Sequence, residues 1–242
     1  MTLKSYNVTI KSRDSSVTYY LNERSCEMPK ETFFNLNEEK QEKVMRSAIS
    51  EFLKHGFEKG NIGDIAKNAG VAKGSIYQYF ENKRELFLYS VKWSTQLMMK
   101  KYSKYMVVTD KDINIFDFLY ENSKQLWVQM RDEREVIIFI QDVFLGRYAR
   151  LTDDSMEYMM KVSDEYILQL IREGKKNGCI RDDIDDNILS LYITGVSMKI
   201  KQYMMNKART AGEDIIDEPF EKHESEIRAM IELIKNGMGG RK

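Results

Sequence analysis

Apolar residues recur every three or four positions along most of this chain. The pattern breaks at glycines, at asparagine or aspartate caps, and throughout the first 36 residues. After Asn37, an N-cap followed by Glu38 and Glu39, the residues Val44, Ala48, Ile49 and Phe52 share one helical face, and Gly56 ends that helix in the position of a left-handed cap. Asn61 caps a short helix carrying Ile62, Ile65, Ala66 and Ala69, which Gly70 stops after two turns. Val71 and Ala72 lead into a third helix with Ile76, Tyr79 and Phe80. Asn82 and Glu85 have the form of a capping box and open a long helix from Lys83 to about Tyr105. Two short helices across a glycine-containing turn are the sequence form of a helix-turn-helix.

Everything after that point also has helical period. Apolar stripes predict helices over about Ile113 to Arg131, Glu135 to Tyr148, Asp154 to Lys176 and, from Asp185 or Asp186, to Met205. A last helix is expected from Glu218-Pro219 to Asn236, because proline suits a first helical turn. The reading is an all-α chain of about nine helices: an N-terminal three-helix helix-turn-helix domain over 37–88, then a larger helical regulatory and dimerisation domain over 89–242. Residues 1–36 stand apart. They are polar, rich in serine and threonine, and hold two β-like runs, Asn7 to Ile10 and Ser16 to Leu21. One reading is a disordered tail. The other is that synthesis starts at Met28, since Arg24-Ser25 can be encoded as a purine-rich ribosome-binding sequence at the usual spacing.

Composition narrows the function by exclusion. Two prolines in 242 residues leave long stretches without a helix breaker, and 42% hydrophobic residues suffice for a core. No apolar run approaches the ~20 residues of a membrane span, and the N-terminus lacks the apolar core of a signal peptide. Cys26 and Cys179 form no metal-ligand pattern, and His55 and His223 are the only histidines. The expectation is a cytoplasmic protein that is not an enzyme and has no cofactor, metal site or membrane partner. Asp182, Asp183, Asp185 and Asp186 lack the glycine and terminal glutamate of a calcium loop and read better as the acidic start of a helix. The 38 basic and 38 acidic residues cancel, so any nucleic-acid affinity must be local. Residues 37–86 carry a net charge of only +1, with Lys67, Lys73, Lys83 and Arg84 in the half that holds the turn and four of the acids in the first helix.

The decisive stretch runs from Asn61 to Leu86. Its pieces Asp64-Ile65-Ala66, Ala69-Gly70-Val71, Lys73-Gly74-Ser75-Ile76-Tyr77, Tyr79-Phe80 and Asn82-Lys83 with Glu85-Leu86 closely resemble the DNA-binding signature of the TetR/AcrR family of bacterial transcriptional regulators. The likeness covers about residues 38–90 in detail. Its physical content is plain: Lys73, Ser75, Tyr77 and Gln78 give the third helix a polar face for base edges, Gly74 permits close approach, and Val71, Ile76 and Phe80 anchor the other side. The resemblance implies that Tyr77 and Lys83 contact phosphate, that Ser75 contacts phosphate or base, and that Lys73, Gln78 and Tyr79 read bases. Ala72 departs from the serine or threonine cap frequent in the family, which costs roughly 1 kcal/mol.

By the same resemblance the partners are double-stranded DNA, a second copy of the chain and an unidentified small-molecule effector, and the protein is a repressor released from a palindromic operator. Candidate pocket residues are Trp93, Tyr102, Phe116, Tyr120, Trp127, Phe139, Phe144, Met159 and Tyr166, with Trp127 as the foremost wall. The helix over about 186–205 is apolar nearly all round, which a single neighbour cannot cover. Ile188, Tyr192, Val196, Ile227, Met230, Ile231 and Ile234 are therefore the candidate dimer interface. Two other readings compete: an all-helical enzyme or carrier with an incidental helix-turn-helix, and a DNA-organising protein without effector. The first lacks a catalytic constellation, and the second leaves the aromatic and methionine-rich C-terminal part unexplained.

Overall fold

The structure, a computed structural model, describes residues 7–11, 16–20, 29–102, 114–148, 150–151 and 153–240. The two β-like runs form a hairpin of strands β1 (Asn7–Lys11) and β2 (Ser16–Tyr20), antiparallel, with Asn7 opposite Tyr20 and Lys11 opposite Ser16. The other regular elements are helical: α1 (Glu31–Phe34), α2 (Glu38–Lys59), α3 (Ile62–Ala69), α4 (Lys73–Tyr79), α5 (Lys83–Tyr102), α6 (Ile115–Gln129), α7 (Arg134–Phe144), α8 (Asp153–Lys176), α9 (Asp186–Thr210) and α10 (Glu224–Met238). The nine expected helices are α2 to α10; α1 is additional. Met28 lies outside the described residues. Among those described, no helix is long and apolar enough to cross a membrane.

The chain folds as two compact units. In the first, the caps read from sequence do what their chemistry requires. Asn37 accepts a hydrogen bond from the Lys40 amide at 2.9 Å, Asn61 from the Gly63 amide at 2.7 Å, and Asn82 from the Glu85 amide at 2.9 Å. Gly56 takes φ +73° and breaks the α2 helix before a final turn. Val44, Met45, Ala48, Ile49 and Phe52 of α2 are fully buried. They meet α5, whose Leu86, Phe87, Leu88 and Tyr89 are buried in succession. Four consecutive buried residues need neighbours on every side. Phe87 has them, with ring centroids 5.1 Å from Phe52, 5.4 Å from Phe139 and 4.9 Å from Tyr148. Arg46 of α2 donates to both carboxylate oxygens of buried Glu133, at 2.8 and 3.1 Å, which fastens α2 to the start of α7.

The ordered domain begins earlier than residue 37. Phe33 of α1 is fully buried, 5.1 Å from the Phe80 ring and 5.6 Å from the Tyr89 ring. Residues 29–36 therefore belong to the helix-turn-helix unit. A four-residue helix has no period to detect, and the surrounding polar composition hides it.

The second unit holds α6, the later part of α8, α9 and α10. Asn114 caps α6 and Asp185 caps α9, each accepting an amide hydrogen at 2.9 Å. The last helix starts at Glu224, not at Pro219. Pro219 instead precedes a 3-10 turn, Phe220–Lys222, because Glu218 is drawn inward. The Glu218 carboxylate binds Lys222 and His223, and its carbonyl accepts from Trp127 Nε1 at 2.9 Å and from Arg131 at 2.7 Å. A continuous helix from 219 would forfeit those bonds.

Lys207 of α9 and Glu226 of α10 pair at 2.9 Å, and that hydrogen bond, helped by Ser225, holds the Glu226 carboxyl at about 2 against an ordinary 4.5. A carboxyl whose folded value is depressed stabilises the fold above its unfolded value and loses that contribution as pH falls through the folded one. Denaturation midpoints followed from pH 6 downward should therefore drop more steeply between about pH 4.5 and 2 in the wild type than in Glu226→Gln.

Candidate nucleic-acid interface

The turn between α3 and α4 is built by the chain itself. Gly70 sits at φ +70°, ψ 33°, a left-handed conformation that costs a side-chain-bearing residue roughly 1–2 kcal/mol. With it, the Val71 amide reaches back to the Ala66 carbonyl at 2.9 Å and the Gly70 amide to Lys67 at 3.1 Å. This closes α3 and redirects the chain into α4. The α2–α3 corner is pinned by buried Glu51, which accepts the Asn61 amide at 2.9 Å.

α4 presents two unlike sides. Ile76, Tyr79 and Phe80 are buried. Lys73, Gly74, Tyr77 and Gln78 are exposed, and Ser75 is half-buried between the two sides. Tyr77 keeps 46% of its surface open, which is high for an aromatic residue with no packing reason to be there. A Cβ added at Gly74 would meet nothing within 4 Å. Gly74 is the second residue of α4, so the first turn is bare there although no neighbour excludes a side chain. Ala72 gives no side-chain cap, as its chemistry dictates.

Two of the expected contact residues also have partners within the protein. Tyr79 is only 8% exposed and lies edge-on to Phe33 at 6.0 Å, so it anchors the helix and is not free to read bases. Lys83 turns its ammonium to the end of α2, donating to the carbonyls of Glu58 at 3.0 Å and Gly60 at 3.3 Å and lying 4.8 Å from the Phe57 ring centre. The carbonyls at the C-terminal end of α2, left without intrahelical partners, attract that cation. Two residues missed by the sequence reading also touch α4: Lys30 and Thr32 donate to its last carbonyls. The available signal was Phe33-Phe34 in an otherwise polar segment.

Residues 44–89 match the model of the bacterial regulatory proteins of the tetR family. The chain thus carries a segment similar to the DNA-binding domain of that family. It is 23% identical over 172 residues to the probable acrEF/envCD operon repressor of Escherichia coli, covering 69% of this chain and 77% of that protein. Its fold is similar to that of the transcriptional regulator FadR from Bacillus subtilis in complex with stearoyl-CoA, at TM-score 0.62 and 17% identity over 81% of this chain and 98% of the other. It is also similar to that of SmeT, the repressor of the Stenotrophomonas maltophilia multidrug efflux pump SmeDEF, at TM-score 0.60 and 14% identity over 84% of this chain and 93% of the other. The likeness to solved TetR-family structures spans the helices after residue 89, where the sequence offered no motif.

The remaining candidates divide between the two units. In the first, Phe139 is fully buried, Trp93 packs against the same core with Arg46 5.8 Å over its ring, and Phe144 is half-buried. In the second, Phe116 is buried, and Tyr166 packs on the core. Tyr102 donates to the Gln129 carbonyl at 3.0 Å, and Tyr120 to Glu224 at 2.6 Å. Trp127 lies against Phe220 and His223, with centroids at 5.8 and 5.3 Å. The side chain of Met159 is outside the described residues. Of the dimer candidates, Ile227, Ile231 and Ile234 are buried within the protomer, Val196 and Met230 are half-buried, and Ile188 and Tyr192 are exposed. Leu191 and Leu233, not singled out from sequence, are also exposed.

The Lys83 contacts generate a test. Lys83→Ala removes the cation from the end of α2 and should lower the unfolding free energy by roughly 1 kcal/mol in chemical denaturation. Unchanged stability would mean that the two carbonyl contacts contribute nothing.

Proposed function

We propose that this chain is a TetR-family repressor that reads operator DNA with the exposed face of α4 and is released by a small apolar or amphipathic ligand. The observation that carries the DNA half is that face: Lys73, Tyr77 and Gln78 project from a helix whose other side is anchored in the core, and Gly74 leaves its first turn open to close approach. In this reading Tyr77 and Ser75 hold phosphate, Lys73 and Gln78 address base edges, and the third hydrogen of the Lys83 ammonium serves a phosphate. The ligand half rests on the aromatic and methionine content of the C-terminal helices and on the stearoyl-CoA of the similar Bacillus FadR structure. The protein would act in the cytoplasm, where its DNA is.

The test is binding to the chain's own upstream intergenic DNA. Tyr77→Phe should weaken binding to all sequences, through a lost phosphate hydrogen bond. Gln78→Ala should change the preference among operator variants by about fivefold or more. Long-chain acyl-CoA added to the complex should release the DNA. Equal affinity for upstream and shuffled duplexes would defeat the reading, and acyl-CoA that binds without release would defeat its ligand half.

The repressor is proposed to work as a homodimer. Ile188, Leu191 and Tyr192 of α9 and Leu233 of α10 are large, apolar and exposed on adjoining helices, joined by the Tyr192 hydroxyl donating to the Leu233 carbonyl at 3.2 Å. A second copy of this surface would cover them and space two copies of α4 along one face of DNA, about 34–36 Å apart. Leu191→Glu should give a monomer at micromolar concentration in sedimentation, with the wild type sedimenting as a dimer.

A further inference from the structure

A helix leaves its last four carbonyls without intrahelical partners, and in α4, only seven residues long, that is more than half of the backbone acceptors. Their partners can be named one by one. The Ile76 carbonyl accepts the Phe80 amide at 2.8 Å. The Tyr77 carbonyl accepts the Lys30 ammonium at 3.0 Å. The Gln78 carbonyl accepts the Thr32 hydroxyl, and the Tyr79 carbonyl accepts the Lys30 amide at 2.8 Å. Three of the four are thus satisfied by two residues more than forty positions earlier in the chain. The Lys30 cation also stands at the negative end of the helix. Immediately after them Phe33 enters the core between Tyr79, Phe80 and Tyr89.

We propose that residues 29–34 are a clamp on the recognition helix, in which Lys30 and Thr32 are positioning residues for DNA reading and Phe33 is the anchor. The inference rests on the proposed reading of α4 as the DNA-contacting helix. Seven residues lie well below the ~12–15 at which a helix holds itself in water, so packing and caps must fix the pitch and direction of α4. Its N-terminal end has no side-chain cap, because residue 72 is alanine. The C-terminal clamp therefore sets where Tyr77 and Gln78 stand. Their own carbonyls are the ones held, so loss of a clamp bond moves the reading side chains directly. Thr32 carries no charge, and its contribution to DNA binding is geometric, not a phosphate contact.

The experiment compares Thr32→Val, which keeps shape and loses the hydroxyl, with Thr32→Ser, which keeps it, in the full chain. Amide exchange is followed by NMR at Lys30 and Phe80 in the free protein. Affinity is measured for the upstream duplex and for a shuffled duplex of the same length across a salt series. Thr32→Val should speed exchange at both amides and reduce the ratio of specific to shuffled affinity by about fivefold or more, with the salt slope and the shuffled-duplex affinity unchanged. Thr32→Ser should resemble the wild type in every measurement. Wild-type exchange in Thr32→Val, or faster exchange with an unchanged affinity ratio, would overturn the clamp. A wild-type protein that does not distinguish the two duplexes counts against the DNA reading of α4, and the exchange measurement then decides the clamp by itself.

Discussion

A recognition helix of seven residues cannot hold its own shape, and most of the first unit is arranged around that constraint. Isolated helices this short are unstable in water, since nucleation costs more than a few hydrogen bonds return. α4 survives because one side is buried and its ends are tied. Ile76, Tyr79 and Phe80 enter a core supplied by α1, α2, α3 and α5. Gly70 sets its entry angle, and Lys30 and Thr32 receive its exit. The exposed side is thereby released from any structural duty. That is why Tyr77 and Gln78 can remain in solvent.

The same logic extends to α5. Its first residues continue directly from the α4 anchor, with Asn82 capping and the Glu85 carboxylate reaching back to the Glu81 amide. Its next four side chains are buried among aromatic rings from α2, α7 and Tyr148. α5 contains neither glycine nor proline, so it has no built-in kink to absorb a displacement. Arg46 and Glu133 add a directional tie from α2 to the start of α7, with two parallel hydrogen bonds of charge-assisted type. The helices of the first unit are thus supported by residues 133–148 as well as by their own sequence neighbours.

Features decided within a few residues were legible in the sequence. Asn37, Asn61, Asn82 and Asp185 cap the helices they precede, and Gly70 makes the turn, because each acts on amides or dihedrals next to it. The exposed polar set of α4 was likewise legible from helical period, except for Tyr79. The family resemblance implied that it reads bases, but the ring packs against Phe33, whose helix shows no period. Lys83 and Pro219 have partners that the sequence reading did not supply. Lys83 is drawn to the carbonyls at the end of α2, and the chain at Pro219 turns early where Glu218 meets Lys222, His223, Trp127 and Arg131. In each case a distant partner outweighed the local preference. Apolar content alone also overstated the dimer candidates: Ile227, Ile231 and Ile234 serve the protomer's own core, and the open surface carries Leu191 and Leu233 instead.

Charge explains why binding must be read as geometry in this chain. With 38 basic and 38 acidic residues there is no general attraction to a polyanion, and the helix-turn-helix segment has little net charge of its own. Several nearby cations are already engaged within the protein: Lys30 with Tyr77, Lys83 with the end of α2, Arg46 with Glu133. The Arg46–Glu133 ion pair cancels its charge internally, and the two lysines, still charged, have their reach restricted by the carbonyls they serve. On the proposed reading, what remains is the fit of a small polar face, Lys73, Ser75, Tyr77 and Gln78, to one groove. A fit of that kind is sensitive to small movements of the helix that presents it. On that reading a ligand would need only modest energy to switch the protein: a hundredfold preference for a state with α5 displaced corresponds to about 2.7 kcal/mol, with little general electrostatic attraction to resist it.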